Sequence, residues 1–112
     1  MRPLYTTEVT ARGGREGHVR SSDGILDMDL RVPREMGGRV EPGSNPEQLF
    51  AAGYAACFES SLRAVARSQK KPLQGTSITA RVTLNPTDDK RYQLAVELRG
   101  HLEGLAEDDA LA

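Results

Sequence analysis

The stretch Asn45–Phe58, reading NPEQLFAAGYAACF, decides the fold of this chain because it opens a long helix and carries the only cysteine, Cys57. Asn45 is a good helix N-cap and a proline suits the first helical position. The sequence therefore predicts a helix from Pro46 to about Gln69, ending before Pro72. The second half of the quoted stretch carries no charged residue. A helix that is apolar on all sides belongs in a core, so we expect this one to be central and buried.

The residues before this helix predict an antiparallel meander. Strands are expected at Leu4–Ala11, His18–Ser22 and Ile25–Val32, the last of which alternates apolar and polar residues along its length. A cluster of glycines separates the first two strands and suits turn geometry. Residues Pro33–Gly43 are rich in glycine and proline and are expected to form the loop that leads into the helix.

The residues after the helix predict a long β-hairpin. Alternation of apolar and polar side chains indicates strands over Thr76–Leu84 and Tyr92–Leu102, with Asn85–Lys90 as the turn. One face of this hairpin is apolar and is expected to cover the helix. His101 falls on the polar face and is expected to be solvated without a functional role. The tail Gly104–Ala112 looks like the first turns of a second helix.

The composition allows one domain, spanning residues 1–112, and excludes several classes of function. The chain has 15 Lys and Arg against 16 Asp and Glu, so nothing favours nucleic acid as a partner. The N-terminus lacks the apolar stretch of a secretion signal and no run could span a membrane, so we expect a soluble, cytoplasmic protein. A single cysteine cannot form an internal disulfide. His18 and His101 are far apart in sequence, so no metal site is expected.

Cys57 is either an inert small hydrophobe or a thiol that its surroundings activate. It lies about three turns beyond the N-cap, and the influence of the helix dipole fades within the first turn. Activation therefore needs a cationic side chain. The candidates are Arg12, Arg15 and Arg20 of the glycine-rich N-terminal region, or Arg63, which follows by six residues and lies off the cysteine's face.

Four motifs carry a resemblance to a known family. They are GGREG at Gly13–Gly17, SSDGILD at Ser21–Asp27, VPREMGG at Val32–Gly38, and NPEQLFAAGYAACF at Asn45–Phe58. In order and spacing the sequence closely resembles the organic hydroperoxide resistance branch of the osmotically inducible protein C superfamily. The motifs cover roughly the first three-fifths of the chain, and the hairpin fits the same pattern loosely.

The resemblance implies an α+β fold in which antiparallel sheets pack around a long central helix that carries the cysteine, in an intertwined homodimer. It also implies a thiol-dependent peroxidase that reduces organic and fatty-acid hydroperoxides through a cysteine sulfenic acid. Carried over by motif, Cys57 is the peroxidatic cysteine, Arg15 its activating cation, and Glu47 the carboxylate that holds this arginine. No bound cofactor is implied, and the expected reductant is an external dithiol on a dihydrolipoyl protein.

Substrate preference is expected to follow from an apolar lining around the thiol. Met36, Leu49, Phe50 and Phe58 are the candidate substrate-binding residues, because burial of an alkyl tail contributes about 0.8 kcal/mol per methylene. The cavity that this apolar lining would form also permits a different function. A non-catalytic module that binds a hydrophobic ligand would use these side chains as walls, with Cys57 as one of them.

Two further expectations concern assembly and length. Glu47 and Cys57 are ten residues apart, which on an unbroken helix is a rise of about 15 Å and a rotation of roughly 80° off one face. We therefore predict that Arg15 and Cys57 meet Glu47 of a partner subunit, unless the helix breaks near Gly53 or starts later. Members of the resembled family carry a second, resolving cysteine in a C-terminal segment, so the domain is expected to be incomplete at its C-terminus.

Overall fold

The computed structural model describes residues 2–39, 41–71 and 75–103, and its class is α+β with antiparallel sheets and one long helix. This confirms the predicted fold class. The chain divides into two compact units, residues 1–46 and 47–112. The predicted single domain over 1–112, the homodimer and the second helix after residue 103 stay predictions, the last because it lies outside the described residues.

The N-terminal unit contains a three-stranded antiparallel sheet. Its strands are β1 (Val9–Arg12), β2 (His18–Ser21) and β3 (Asp27–Asp29), in the spatial order β1-β2-β3. β2 begins and ends within one residue of the predicted strand. His18 is the first residue of the central strand, opposite the last residue of β1 on one side and the last residue of β3 on the other.

Two of the predicted strands were too long. Leu4–Glu8 is not a strand, and the side chain of Leu4 is fully exposed, because no partner strand lies alongside it in this unit. The third strand has three residues rather than eight. Of its predicted apolar face, Leu30 is buried at 3% exposed, Leu26 and Val32 are half-buried, and Met28 is exposed. Leu30 also forms an isolated parallel bridge with Ser44.

The helix α1 spans Pro46–Ser68 without a break, within one residue of the predicted bounds. It begins at the proline that the sequence singled out. At its other end, the Lys71 N–H donates to the Ala66 carbonyl and the Lys70 N–H to the Arg67 carbonyl, with Lys70 in the left-handed region. These two bonds satisfy terminal carbonyls and stop the helix before Pro72.

The hairpin is formed by β4 (Gly75–Pro86) and β5 (Tyr92–Glu103), which pair along their whole length. Lys90 adopts a positive φ of 65° in the connecting turn, where the Thr87 N–H donates to the Arg91 carbonyl. The predicted alternation is visible in β4. Its even-numbered residues from 76 to 84 are half-buried, and the odd-numbered residues between them are exposed. This part of the prediction is confirmed.

The prediction that α1 is buried on all sides is wrong for the described chain. Within the helix only Ala66 is buried, and Cys57 is exposed. The sequence shows that the segment Leu49–Phe58 carries no charge, but it cannot show how many faces of the helix the same chain covers. Burial is therefore the one property of α1 that the sequence predicted incorrectly.

Candidate functional site

Arg15 lies on a tight turn that glycines make possible. Gly13 and Gly14 have positive φ values of 81° and 63°, and residues Gly14–Glu16 form one turn of 3-10 helix. At Gly17 a Cβ atom would stand 1.7 Å from the Arg12 carbonyl oxygen, so only glycine allows the chain to return into β2. The glycines of the GGREG motif thus fix a tight backbone turn, and the arginine that this turn carries is half-buried. Arg15 also makes a polar interaction of its own.

Met36 lies on a second turn of the same kind. Residues Arg34–Met36 form a 3-10 helix that ends at Gly37, whose φ is 87°. A Cβ atom at Gly38 would stand 1.8 Å from the Val32 carbonyl oxygen. The VPREMGG motif therefore folds as a glycine-terminated turn with the methionine side chain 41% exposed.

Cys57 lies on an exposed aromatic face of α1. At 100° per residue, Phe50, Tyr54, Cys57 and Phe58 fall within an arc of about 100°. The three aromatic side chains are 42–44% exposed, and Phe50 stacks on Tyr54 with ring centroids 5.7 Å apart. We call this surface the aromatic stripe. It brings the sole thiol together with two of the four predicted substrate-binding residues.

The other predicted residues of α1 lie off the aromatic stripe. Leu49 is half-buried and points about 100° away from Phe50. Glu47 is in the first turn, is half-buried, and makes a polar interaction. Because α1 is unbroken through Gly53, the ten residues between Glu47 and Cys57 correspond to about 15 Å of helix. One helix therefore does not bring this carboxylate and this thiol together, and the partner-subunit arrangement stays a prediction.

Two of the candidate cations are engaged by neighbouring carboxylates. The Arg63 Nε lies 2.6 Å from a carboxylate oxygen of Glu59, one turn earlier on α1. In the N-terminal unit, the Arg20 Nε lies 3.8 Å from Asp27. Arg12 lines an open cleft of about 370 Å³ beside β2. Arg15 and Met36 belong to this N-terminal unit, whereas Cys57, Glu47 and the aromatic stripe belong to the C-terminal one.

His18 makes contacts that the sequence did not predict. Its Nδ1 lies 2.7 Å from an Asp29 carboxylate oxygen, and its Nε2 contacts Asp27. These hydrogen bonds, that to Asp29 foremost, raise the pKa of His18 above its ordinary value of 6.5. The same bond lowers the pKa of Asp29. No sequence signal could have found this cluster, because it depends on the register of β2 and β3.

Tyr54 is the second residue that the sequence analysis missed. Its ring extends the aromatic stripe between Phe50 and Phe58 and stacks on the former. A signal was present in this case. Aromatic residues at i, i+4 and i+8 predict one continuous surface on a helix.

The described residues 2–39, 41–71 and 75–103 contain no group of three His, Cys, Asp or Glu side chains arranged to hold a metal ion. None of the helices in that part of the chain is both long and apolar enough to cross a membrane.

Comparison with known proteins places this geometry in a family. The family model described as OsmC-like protein matches residues 36–111. Over 106 residues the chain is 46% identical to the organic hydroperoxide resistance protein OhrA of Bacillus subtilis, a match covering 93% of this chain and 74% of that relative. It is 48% identical to an organic hydroperoxide resistance protein of Xanthomonas axonopodis pv. citri, over 91% of this chain and 72% of that relative.

Solved structures agree with these relatives. An organic hydroperoxide resistance protein of Legionella pneumophila is 51% identical with a TM-score of 0.92, covering 98% of this chain and 80% of that one. Another, from Vibrio cholerae with captopril bound in one of its active sites, is 41% identical with a TM-score of 0.88, covering 98% and 74%.

The described elements define an α+β protein in which one long helix exposes a single thiol beside aromatic side chains. Both the family model and the relatives extend over most of these elements. The chain belongs to the OsmC-like family, which confirms the resemblance that its four motifs carry.

Proposed function

We propose that this chain is a thiol-dependent peroxidase that reduces organic hydroperoxides to alcohols. The observation that carries the proposal is Cys57, a free and exposed thiol on the aromatic stripe of α1. Relatives that share nearly half of its residues are named organic hydroperoxide resistance proteins, which supports a role in peroxide resistance.

The proposed reaction needs only the thiolate and the peroxide. The Cys57 sulfur attacks the distal oxygen of the hydroperoxide, the O–O bond breaks, and the alkoxide leaves as the alcohol after it takes a proton. The sulfur is oxidised to a sulfenic acid while the peroxide is reduced. No metal or bound cofactor takes part in this step.

Arg15 and Glu47 are proposed to activate the thiol. A guanidinium stays charged at any working pH, so Arg15 can stabilise a thiolate and still offer N–H donors to the peroxide oxygens. The GGREG turn supports this role because it fixes the backbone on both sides of the arginine. Glu47, in the first turn of α1, would hold the guanidinium by a charge-assisted hydrogen bond.

The aromatic stripe is proposed to select organic over hydrogen peroxide. Phe50 and Phe58 flank Cys57 by seven residues and one residue, and both present exposed rings. An alkyl chain buried against them gains about 0.8 kcal/mol per methylene, a gain that hydrogen peroxide cannot obtain. Met36 and Leu49 are proposed to complete the apolar lining.

Turnover is proposed to need an external dithiol. The first thiol of the reductant would condense with the Cys57 sulfenic acid, release water and form a mixed disulfide. Its second thiol then attacks that disulfide and frees Cys57. A dihydrolipoyl group on a partner protein has this chemistry.

A homodimer is proposed because α1 exposes its aromatic stripe and because one helix separates Glu47 from Cys57 by about 15 Å. A second copy would cover the stripe and bring the Glu47 carboxylate of one chain to the arginine and thiol of the other. The proposed assembly therefore contains two complete sites, each built from both chains.

The test is oxidation of the full chain with an equal amount of tert-butyl hydroperoxide or hydrogen peroxide, followed by rapid quench and intact mass. We expect fast gain of one oxygen with the organic peroxide and much slower gain with hydrogen peroxide. Cys57→Ser should gain none. Arg15→Ala should slow the reaction by orders of magnitude, whereas Arg63→Ala, the matched change of an arginine engaged by Glu59, should leave it unchanged.

A second candidate function is a non-catalytic module that binds a hydrophobic ligand. The exposed Phe50, Tyr54 and Phe58 side chains favour it, because a surface of this kind would take up an apolar ligand without any reaction at Cys57. Slow oxidation by both peroxides in folded protein, combined with unchanged fatty-acid binding in Arg15→Ala, would replace the peroxidase with this function.

A further inference from the structure

The turn that carries Arg15 is held from one side by strand β3 and the residues after it. The Leu30 N–H donates to the Gly17 carbonyl at 2.8 Å, directly after the turn. Leu30 is 3% exposed, so the residue that donates this hydrogen bond is buried. The turn thus depends on how firmly residues 29–31 are held against β2.

Arg31 braces the same turn with its guanidinium. Its Nη1 donates to the Glu16 carbonyl at 3.3 Å and to the Leu30 carbonyl at 2.6 Å, and its Nε donates to Glu41 at 3.2 Å. Its Nη2 lies 3.9 Å from Asp29. The side chain is only 25% exposed, so these contacts are less screened than those of a surface arginine. Arg31 therefore links the Glu16 carbonyl, next to Arg15, to Asp29 of strand β3.

His18 makes the third contact between the Arg15 turn and β3. It follows Gly17 directly and contacts Asp29 through Nδ1 and Asp27 through Nε2. An ionised carboxylate only accepts hydrogen bonds, so the protonated ring, with a donor on each nitrogen, satisfies both contacts. Loss of one proton removes one of the two donors and the positive charge together.

The charges around His18 are of both signs. Arg12 lies opposite it in the β1 register, Arg20 is two residues further along β2, and Asp27 and Asp29 belong to β3. The two carboxylates contact the ring directly, whereas the arginines are neighbours on the sheet. The direct contacts dominate and favour the protonated ring.

We propose that His18, held by Asp27 and Asp29, is a pH-dependent positioning residue that keeps the Arg15 turn in place together with Arg31. The proposal rests on the peroxidase function for its consequence, because Arg15 matters there as the cation that faces the thiol. The geometry itself is independent of that function.

The direction of the effect follows from linkage. The pKa of His18 is raised above 6.5 in the folded chain, so the stabilisation is complete below about pH 6.5 and is lost as pH rises through the higher folded value. The Arg15 turn is therefore held most firmly on the acidic side of this transition.

The test follows the Arg15 side-chain Nε–H resonance of the full chain by NMR against pH. His18→Gln removes the titrating ring, and His101→Gln changes the chain's other histidine, on exposed β5, as the matched control. In the unmodified chain and in His101→Gln we expect a single-proton step with a midpoint above about 6.5 in the Arg15 resonance. In His18→Gln that step should be absent.

The second measurement is the ratio of Cys57 oxidation rates, unmodified chain over His18→Gln, at each pH. We expect this rate ratio to be about three at low pH, the size of effect typical of a solvent-exposed ion pair, and to fall to one above the transition. The same ratio for His101→Gln should stay at one throughout.

A third variant separates positioning from general stability. Arg31→Met removes the donor to the Glu16 carbonyl and should abolish the His18-dependent step in the Arg15 resonance, while Arg34→Met, an exposed arginine on the neighbouring turn, should retain it. An Arg15 resonance that does not follow His18, or a flat rate ratio, overturns the proposal even if oxidation is fast. Slow oxidation with an intact Arg15 step instead overturns the peroxidase function and leaves the positioning role standing.

Discussion

The sharpest prediction concerns Gly17, the residue that returns the chain from the Arg15 turn into β2. A Cβ atom there would lie 1.7 Å from the Arg12 carbonyl oxygen and 2.7 Å from the carbonyl carbons of Arg12 and Gly13. All three atoms belong to the backbone, so no side-chain rotation can relieve the contact. Gly17→Ala therefore has to move β1 and the turn apart.

The magnitude follows from that geometry. An ordinary Cβ contact is longer than about 3.4 Å, so the turn must open by more than an ångström, and overpacking of this kind costs about 1–3 kcal/mol. We expect the upper end of this range, because the obstacle is a backbone carbonyl that cannot repack. Arg15, two residues earlier, would be displaced with the turn.

Denaturant unfolding of Gly17→Ala is the assay, with Gly14→Ala as the matched control on the same turn. At Gly14 no atom lies within 4 Å of the added Cβ, and only its φ of 63° is unfavourable, at about 1 kcal/mol. We expect the midpoint to fall further for Gly17→Ala, with oxidation of Cys57 slowed as in Arg15→Ala. Equal losses of stability in the two variants would refute the reasoning.

Three further predictions concern single positions. Gly53→Ala should raise the free energy of unfolding by up to about 1 kcal/mol, because alanine suits a helix interior and, apart from the helix's own nearby backbone, none of the described atoms lies within 4 Å of the new Cβ. A loss instead would show that a second backbone packs there. Thr76→Val should be neutral or stabilising, because the buried Thr76 hydroxyl finds no hydrogen-bond partner in the described part of the chain. The same change at exposed Thr79 is its control, and denaturant midpoints measure both. Asp23→Asn should lose stability most fully above about pH 3.8, because hydrogen bonds from Ser21 and Ile25 lower the pKa of Asp23. The difference between the two proteins should shrink as the pH of the melt falls through the lower folded pKa.

The helix and the hairpin could be predicted from sequence because their signals are local. Pro46 marks the first turn of α1, and the end of the helix falls just before Pro72. In β4, side chains that alternate in polarity also alternate in exposure. Each of these features depends on residues only a few positions apart, which is the range over which sequence patterns are informative.

The contacts of the N-terminal unit could not be predicted in the same way. Leu4–Glu8 contains residue types that are common in strands, but a strand also needs a partner, and in the described part of this unit strand pairing begins only at Val9. His18 and Asp29 are eleven residues apart and meet only because β2 and β3 pair in one register. Arg31 looked like the polar face of a strand, whereas its guanidinium reaches back to Glu16.

The exposure of Cys57 follows from where it lies around the axis of α1. Ala55, Leu62 and Ala66 fall within an arc of about 40° and are buried or half-buried, whereas Phe50 and Phe58, on the adjoining aromatic stripe, are exposed. Small side chains let neighbouring atoms approach closely, but aromatic rings carry most of the apolar area that remains in water. Whatever covers the aromatic stripe, a second copy or a substrate, also covers the thiol. In the proposed dimer, assembly and peroxide access therefore depend on the same surface. The site would then select peroxides whose alkyl group fits against that surface.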